Sequence, residues 1–237
     1  MEVSSLAPEP PGPLVGVGRA ADVYAIGADR VLRRARFPGY DSAREAAVMR
    51  HLAGHGYPVP EVYDADGTDL VMERLDGRDM LADLGKRPWL ARRYGRLLAD
   101  LHNALHQIPA PAGIRHRFGP GDTVMHLDLH PGNVMLTARG PVVIDWPNAS
   151  AGPGGADVAM AYLVMASSDT DAVPAMIRPL VGSVRGQLLR ALLAGVRDDP
   201  WPHIAEVTEQ RLTDRNVRPS EAVRLRELAA RAAARAG

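Results

Sequence analysis

The sequence predicts an α+β fold of two lobes, a small β-rich N-lobe followed by a larger, mostly helical C-lobe. Three observations predict it. Short apolar runs punctuated by turn residues crowd residues 14–76. After Gly77 the pattern changes to longer stretches of helical periodicity. With 46% hydrophobic residues over 237 positions, the chain can bury the core of one large domain or of two lobes.

Residues 1–13 (MEVSSLAPEPPGP) are expected to be a flexible lead-in, because proline blocks regular structure. In the N-lobe, residues 14–76, the runs LVGVG, ADVYAIG and RVLRRAR read as three strands, with Gly27-Ala28-Asp29 as a hairpin turn. Asp41 or Ser42 caps a helix through REAAVMRHLAGHG, whose apolar positions are Ala46, Met49 and Leu52 or Ala53. Pro58 and Pro60 stop it, and EVYDADGTDLVMERL reads as two more strands joined at Asp66-Gly67. Glu73 to Gly77 then connects to the C-lobe, residues 77–237. A helix is expected from about Pro88 to His106, with Leu90, Tyr94, Leu97, Leu98 and Leu101 on its apolar side. After a loop rich in Pro and Gly, the apolar runs TVMHL and PVVID flank a polar turn. From about Ala156 the chain reads as helical, and its final LRELAARAAARA as a packing or solvated helix. Clefts between two such lobes are common ligand sites.

Composition narrows the function classes. Lys+Arg and Asp+Glu are both 28, so no bulk charge draws the chain to nucleic acid or to an anionic membrane. No apolar run approaches the ~20 residues that span a bilayer. Met1 to Pro13 lacks the basic start and apolar run of a signal peptide. The absence of cysteine removes disulfides, thiolate metal sites and thiol nucleophiles, and fits a reducing cytoplasm. The expectation is a cytoplasmic protein with neither nucleic acid nor membrane as partner; nothing in the pattern specifies an oligomeric state. Lys86 is the only lysine among the 28 basic residues, so an Arg in this chain carries less meaning than usual.

The chemistry lies in His126-Leu-Asp-Leu-His-Pro-Gly-Asn133, with Asp145 following in VVIDW. Phosphoryl transfer from ATP needs a carboxylate to orient or accept the acceptor's hydroxyl proton, and oxygen ligands to hold Mg²⁺ on the phosphates. Mg²⁺ takes hard oxygen donors and draws one or two of them from side chains. A loop Asp, an Asn five residues on, and an Asp ending a nearby apolar strand supply those groups.

HLDLHPGNVML together with VVIDW resembles the catalytic loop and metal-binding segment of the aminoglycoside phosphotransferase family, which shares the protein-kinase fold. The resemblance implies a protein-kinase-like fold, ATP and Mg²⁺ as cofactors, and a small-molecule hydroxyl as acceptor. It makes Asp128 the catalytic base, Asn133 and Asp145 the Mg²⁺ ligands, and His126 a structural residue of the loop. Leu127 stands where the family usually has Gly. Leu14 to Tyr24 resembles the phosphate-covering loop, with Gly16 and Gly18 permitting close backbone approach. Arg33 occupies the place of the usual phosphate-contacting lysine, Glu45 that of the helix glutamate paired with it, and Glu73 and Leu75 those of the adenine-binding hinge. Asp157 matches a structural Asp of the helical lobe. Acceptors in the family include aminoglycosides, macrolides, choline-like amino alcohols and sugars. An acidic pocket would favour cationic ones, with Asp169, Asp171, Asp198, Asp199 and Glu206 as candidates.

Two other readings share these residues. Arg in place of lysine is compatible with a nucleotide-binding pseudokinase of regulatory role. The string His126-x-Asp128-x-His130 also suits a hydrolase metal cluster, although Pro131-Gly132 would end such a strand at once. His102 and His106, four apart on a helix, lack the Glu of a zinc protease and are expected at the helix surface or in packing.

Overall fold

Alternating strands and turn-forming glycines build the first part of the chain. The computed structural model describes residues 12–18, 20–37, 39–168, 173–214 and 217–236. All of the expected lead-in except Gly12 and Pro13 lies outside them. The chain forms two compact units, Met1–Asp76 and Gly77–Gly237.

The first unit holds five strands: β1 (Leu14–Val17), β2 (Ala21–Ile26), β3 (Arg30–Ala35), β4 (Val62–Asp66) and β5 (Asp69–Glu73). They form one antiparallel sheet in the order β1-β2-β3-β5-β4. Gly27 turns the β2–β3 hairpin at φ 65° and Gly67 the β4–β5 hairpin at φ 52°, left-handed values that glycine adopts without strain. Helix α1 (Ser42–Gly54) starts at Asp41, whose side chain accepts from the Ala43 N–H at 3.1 Å. Ser42 does something else: its hydroxyl donates to the Asp69 carbonyl at 2.7 Å, tying the helix to β5. Ala46, Met49 and Leu52 are the buried stripe of α1, and Leu70 of β5 is fully buried. Each such Leu or Met stabilises by roughly 1.5–3 kcal/mol.

The second unit opens with β6 (Gly77–Asp79) and α2 (Met80–Lys86), neither of which the sequence pattern announces. Helix α3 (Ala91–Leu105) buries Tyr94, Leu98 and Leu101 and packs against α5 (Arg178–Gly195). Then come β7 (Thr123–Met125), a 3-10 turn at Pro131–Asn133, β8 (Val134–Thr137), β9 (Gly140–Val143) and β10 (Ser150–Gly152). TVMHL and PVVID do not pair with each other: β7 pairs with β10, while β9 joins β8 and β6 in a three-stranded antiparallel sheet. Helix α4 (Gly154–Ser167) is apolar on nearly every face and correspondingly buried. Around it Phe118, Met125, Leu127, Leu163 and Ile204 form one core, completed by α6 (Ile204–Leu212) and α7 (Pro219–Ala236). Leu225 is buried there, so the Ala- and Arg-rich end of the chain is a packing helix. No helix among the described residues is long and apolar enough to cross a membrane.

Candidate active site

β7 delivers the chain to His126, and the next eight residues fold back on themselves through their own polar groups. His126 is fully buried; its Nδ1 accepts the Asp128 N–H at 3.2 Å and its Nε2 donates to the Ile144 carbonyl at 3.1 Å. These bonds put a ring proton on Nε2, and the ring packs on Trp146 at 4.4 Å between centroids. Asn133 donates from Nδ2 to the Asp128 carbonyl at 2.9 Å and reaches the Asp128 Oδ2 at 3.4 Å. That leaves the Asn133 Oδ1 as the atom available to a cation. The Ile144 N–H donates to the Asn133 carbonyl at 3.0 Å, which places Asp145 next along the segment after β9, tied to the same loop. The loop that carries Asp128 and Asn133 and the segment that carries Asp145 are thus clasped together through the bonds of His126 and Asn133 to Ile144. Burial pushes the Asp128 carboxyl above its usual range, His130 and His126 pull it back, and Asp145 adds to the upward push.

Two residues here have left-handed backbones, Leu127 at φ 62° and Asp145 at φ 67°. Aspartate tolerates that region; for leucine it costs roughly 1–2 kcal/mol. Two things hold Leu127 in place: its N–H donates to Asp157 Oδ1 at 2.6 Å, and its side chain is buried in the α4 core. Leu127→Gly should relieve the backbone but forfeit the packing, and a buried leucine is worth about 2–5 kcal/mol. The packing wins. The variant should melt about 4–8 °C lower, the shift expected for a net loss of about 2 kcal/mol in a chain of this size. An increased Tm in thermal unfolding would show that the backbone strain outweighs the packing.

Asp157 is the anchor of the loop. Its Oδ2 accepts the His126 N–H at 3.1 Å, alongside the Leu127 bond to Oδ1. His106 Nε2 bonds the same Oδ2 at 3.1 Å, while His106 Nδ1 bonds Asp198 Oδ2 at 2.7 Å. His102 lies fully buried with Nδ1 3.5 Å from Asp157. Neither histidine is at the helix surface. The donor atoms of His102, His106 and Asp157 all lie within 4.8 Å of one another. Both Asp157 oxygens are already engaged by main-chain N–H groups and His106 bridges two carboxylates, so an imidazolium accounts for the cluster. Burial alone would lower the His106 pKa, but its bonds to Asp157 and Asp198 outweigh this and raise it to about 9. Burial lowers that of His102, which stays neutral.

A raised folded-state pKa gives stability that is complete below the ordinary value of 6.5 and lost as pH climbs through about 9. The Tm should accordingly fall across that window, and His106→Gln should flatten the fall; parallel profiles for the two proteins would refute the network's charge.

In the first unit, Arg33 of β3 and Glu45 of α1 are both buried and pair at 3.0 Å. The Tyr40 hydroxyl also donates to Glu45 Oε2, and the Arg33 guanidinium lies 5.9 Å from the Tyr40 ring centroid. Glu45 is therefore no solvated helix charge. Gly18 donates its N–H to the Ala21 carbonyl at 2.8 Å, and a Cβ there would meet that oxygen at 2.9 Å, so glycine is required. Gly16 faces only the Val23 side chain at an ordinary 3.5 Å. The Glu73 N–H is committed to the Glu61 carbonyl at 2.8 Å, and Leu75 is half-buried in the segment after β5. Asp169 and Asp171 lie outside the described residues, Asp198 holds His106, and Asp199 accepts the Trp201 N–H. Glu206 lines a cavity of about 480 Å³ with Arg117, Phe118, Glu209, Gln210 and Thr213.

The phosphotransferase enzyme family matches the chain over residues 13–122 and 115–198. No curated protein matches it at the sequence level. Among solved structures it is similar to aminoglycoside phosphotransferase APH(4)-Ia, at 15% identity and TM-score 0.58, over 95% of this chain and 93% of that one. It is also similar to an aminoglycoside-3'-phosphotransferase of type VIII, at 18% and 0.56 over 90% of each chain. A choline/ethanolamine kinase family protein from Mesorhizobium loti matches at 18% and 0.55, over 95% and 88%. The likeness to these structures shows the fold, which is the protein-kinase-like α+β fold.

Proposed function

The chain belongs to the phosphotransferase enzyme family, and from that premise we propose that it catalyses ATP- and Mg²⁺-dependent phosphorylation of a hydroxyl group on a small molecule, such as an aminoglycoside, an amino alcohol or a sugar. The observation that carries this reading is the clasped trio of Asp128, Asn133 and Asp145. The Asp128 carboxylate takes the proton of the acceptor hydroxyl as that oxygen bonds to the γ-phosphorus and the bond to the bridging oxygen breaks, releasing ADP. A carboxylate whose pKa is raised by burial is a better base than an exposed one. Asn133 Oδ1 and the Asp145 carboxylate are the hard oxygens that fit Mg²⁺. Bound there, the metal supplies positive charge against the phosphate oxygens.

By their places in the sequence, Arg33 and the Gly16 backbone serve the phosphates and the Leu75 backbone serves adenine; the Gly18 and Glu73 N–H groups are given to Ala21 and Glu61, so Gly18 shapes the loop and Glu73 offers adenine its carbonyl alone. Arg33 keeps the cation of the missing lysine, and Glu45 holds that cation in place.

The test is ADP release from Mg²⁺·ATP in the presence of aminoglycosides, amino alcohols and sugars. Acceptor-stimulated release that stops without Mg²⁺ is expected. No ADP with any acceptor, despite nucleotide binding, would favour the regulatory pseudokinase.

A further inference from the structure

His130 has no part in the chemistry above, yet its surroundings are built around it. The Gly132 N–H donates to His130 Nδ1 at 3.0 Å. An atom that accepts a main-chain N–H carries a lone pair, so the neutral ring keeps its proton on Nε2. Nε2 in turn faces Asp128 Oδ1 at 3.7 Å. The ring is seated against Gly132, where a Cβ would come within 2.8 Å of His130 Cε1. The opposite Asp128 oxygen, Oδ2, is the one that Asn133 Nδ2 approaches at 3.4 Å. The carboxylate therefore has a polar hydrogen on each side, supplied by residues two and five positions further along one loop.

We infer that His130 is a positioning residue for the catalytic carboxylate: through Nε2–H it fixes the rotation of Asp128, so that an oxygen is presented to the acceptor hydroxyl. The inference rests on the function proposed above. The separation of 3.7 Å is longer than a made hydrogen bond, so the contact has to shorten when the acceptor is bound. Contacts of this kind commonly tighten only when substrate arrives. Burial lowers the basicity of the His130 ring, which acts in the same direction as the Gly132 donor.

The two nitrogens can be tested separately. Asparagine reproduces the Nδ1 acceptor and keeps the Gly132 bond, but has nothing at Nε2. Glutamine places an N–H near the Nε2 position and gives up the Gly132 bond. ADP formation from Mg²⁺·ATP, with water and with the aminoglycosides, amino alcohols and sugars of the screen above as acceptors, is measured for the full chain and both variants, with Tm as the fold control. His130→Asn should melt within about 2 °C of wild type and keep its KM for ATP, while kcat drops about 10–100-fold, the scale of lost orientation. His130→Gln should melt lower yet retain kcat within about threefold of wild type. Full kcat in His130→Asn, or a loss in His130→Gln as large as in His130→Asn, overturns the inference and leaves the proposed function standing. No ADP from wild type with water or with any of those acceptors overturns both.

Discussion

Asp145→Asn should lower Mg²⁺-dependent ADP formation by at least about 10³-fold, the upper range for losing a group that stabilises transition-state charge. The choice of asparagine matters because Asp145 sits at φ 67°. Asparagine enters the left-handed region as readily as aspartate, whereas alanine there would add backbone strain and confuse instability with lost chemistry. The residue before it is held by the Ile144 bonds to Asn133 and His126, neither of which involves the Asp145 side chain. The Tm should therefore stay within a few degrees of wild type. Steady-state kinetics with varied Mg²⁺ and thermal unfolding read the two quantities independently. Full turnover in a folded variant would place the metal elsewhere.

The second large effect is expected at the base. Asp128→Asn removes the only proton-accepting group on the acceptor side of the loop in the proposed mechanism. Turnover should fall about 10²–10⁴-fold, the usual contribution of a positioned general base. The Asp128 N–H and carbonyl, which bond His126 and Asn133, are main-chain groups and survive the change. What changes is the charge and basicity of one side chain. A loss smaller than about tenfold would mean that a step other than proton transfer limits the rate.

How much of the fold and site is legible in the sequence follows the range of the interactions. Strands β2, β3, β4 and β5 and helix α1 announce themselves because alternation, Gly turns and the Asp41 cap are local signals. The Asp128–Asn133 spacing is legible for the same reason: both lie in one loop, and the Asn reaches back to the Asp carbonyl. β6 is three residues long and pairs with β8 far along the chain, and β10 is Ser-Ala-Gly, so neither has a period to detect. The partner of TVMHL is hidden for the same reason, because that run pairs with β10, whereas PVVID pairs with its chain neighbour β8. The His106 bridge joins residues 51 and 92 positions away, which no motif encodes. In the sequence His102 and His106 look like an ordinary pair on a helix. Leu127 leaves one trace, the missing glycine. The means of holding leucine in a left-handed conformation, namely the Asp157 carboxylate and the core around α4, come from distant parts of the chain and leave none.

The central claim is that the chain binds ATP through a metal held by Asp145. The most direct measurement is the thermal shift produced by ATP, with and without Mg²⁺, in wild type and Asp145→Asn. A ligand at a hundredfold excess over its Kd stabilises the folded state by about 2.7 kcal/mol, a rise of about 5–10 °C for a chain of this size. Wild type should show that rise with Mg²⁺·ATP and a much smaller one without Mg²⁺, and Asp145→Asn should lose it. An equal shift in the variant, or no shift in wild type at millimolar ATP, would contradict the claim.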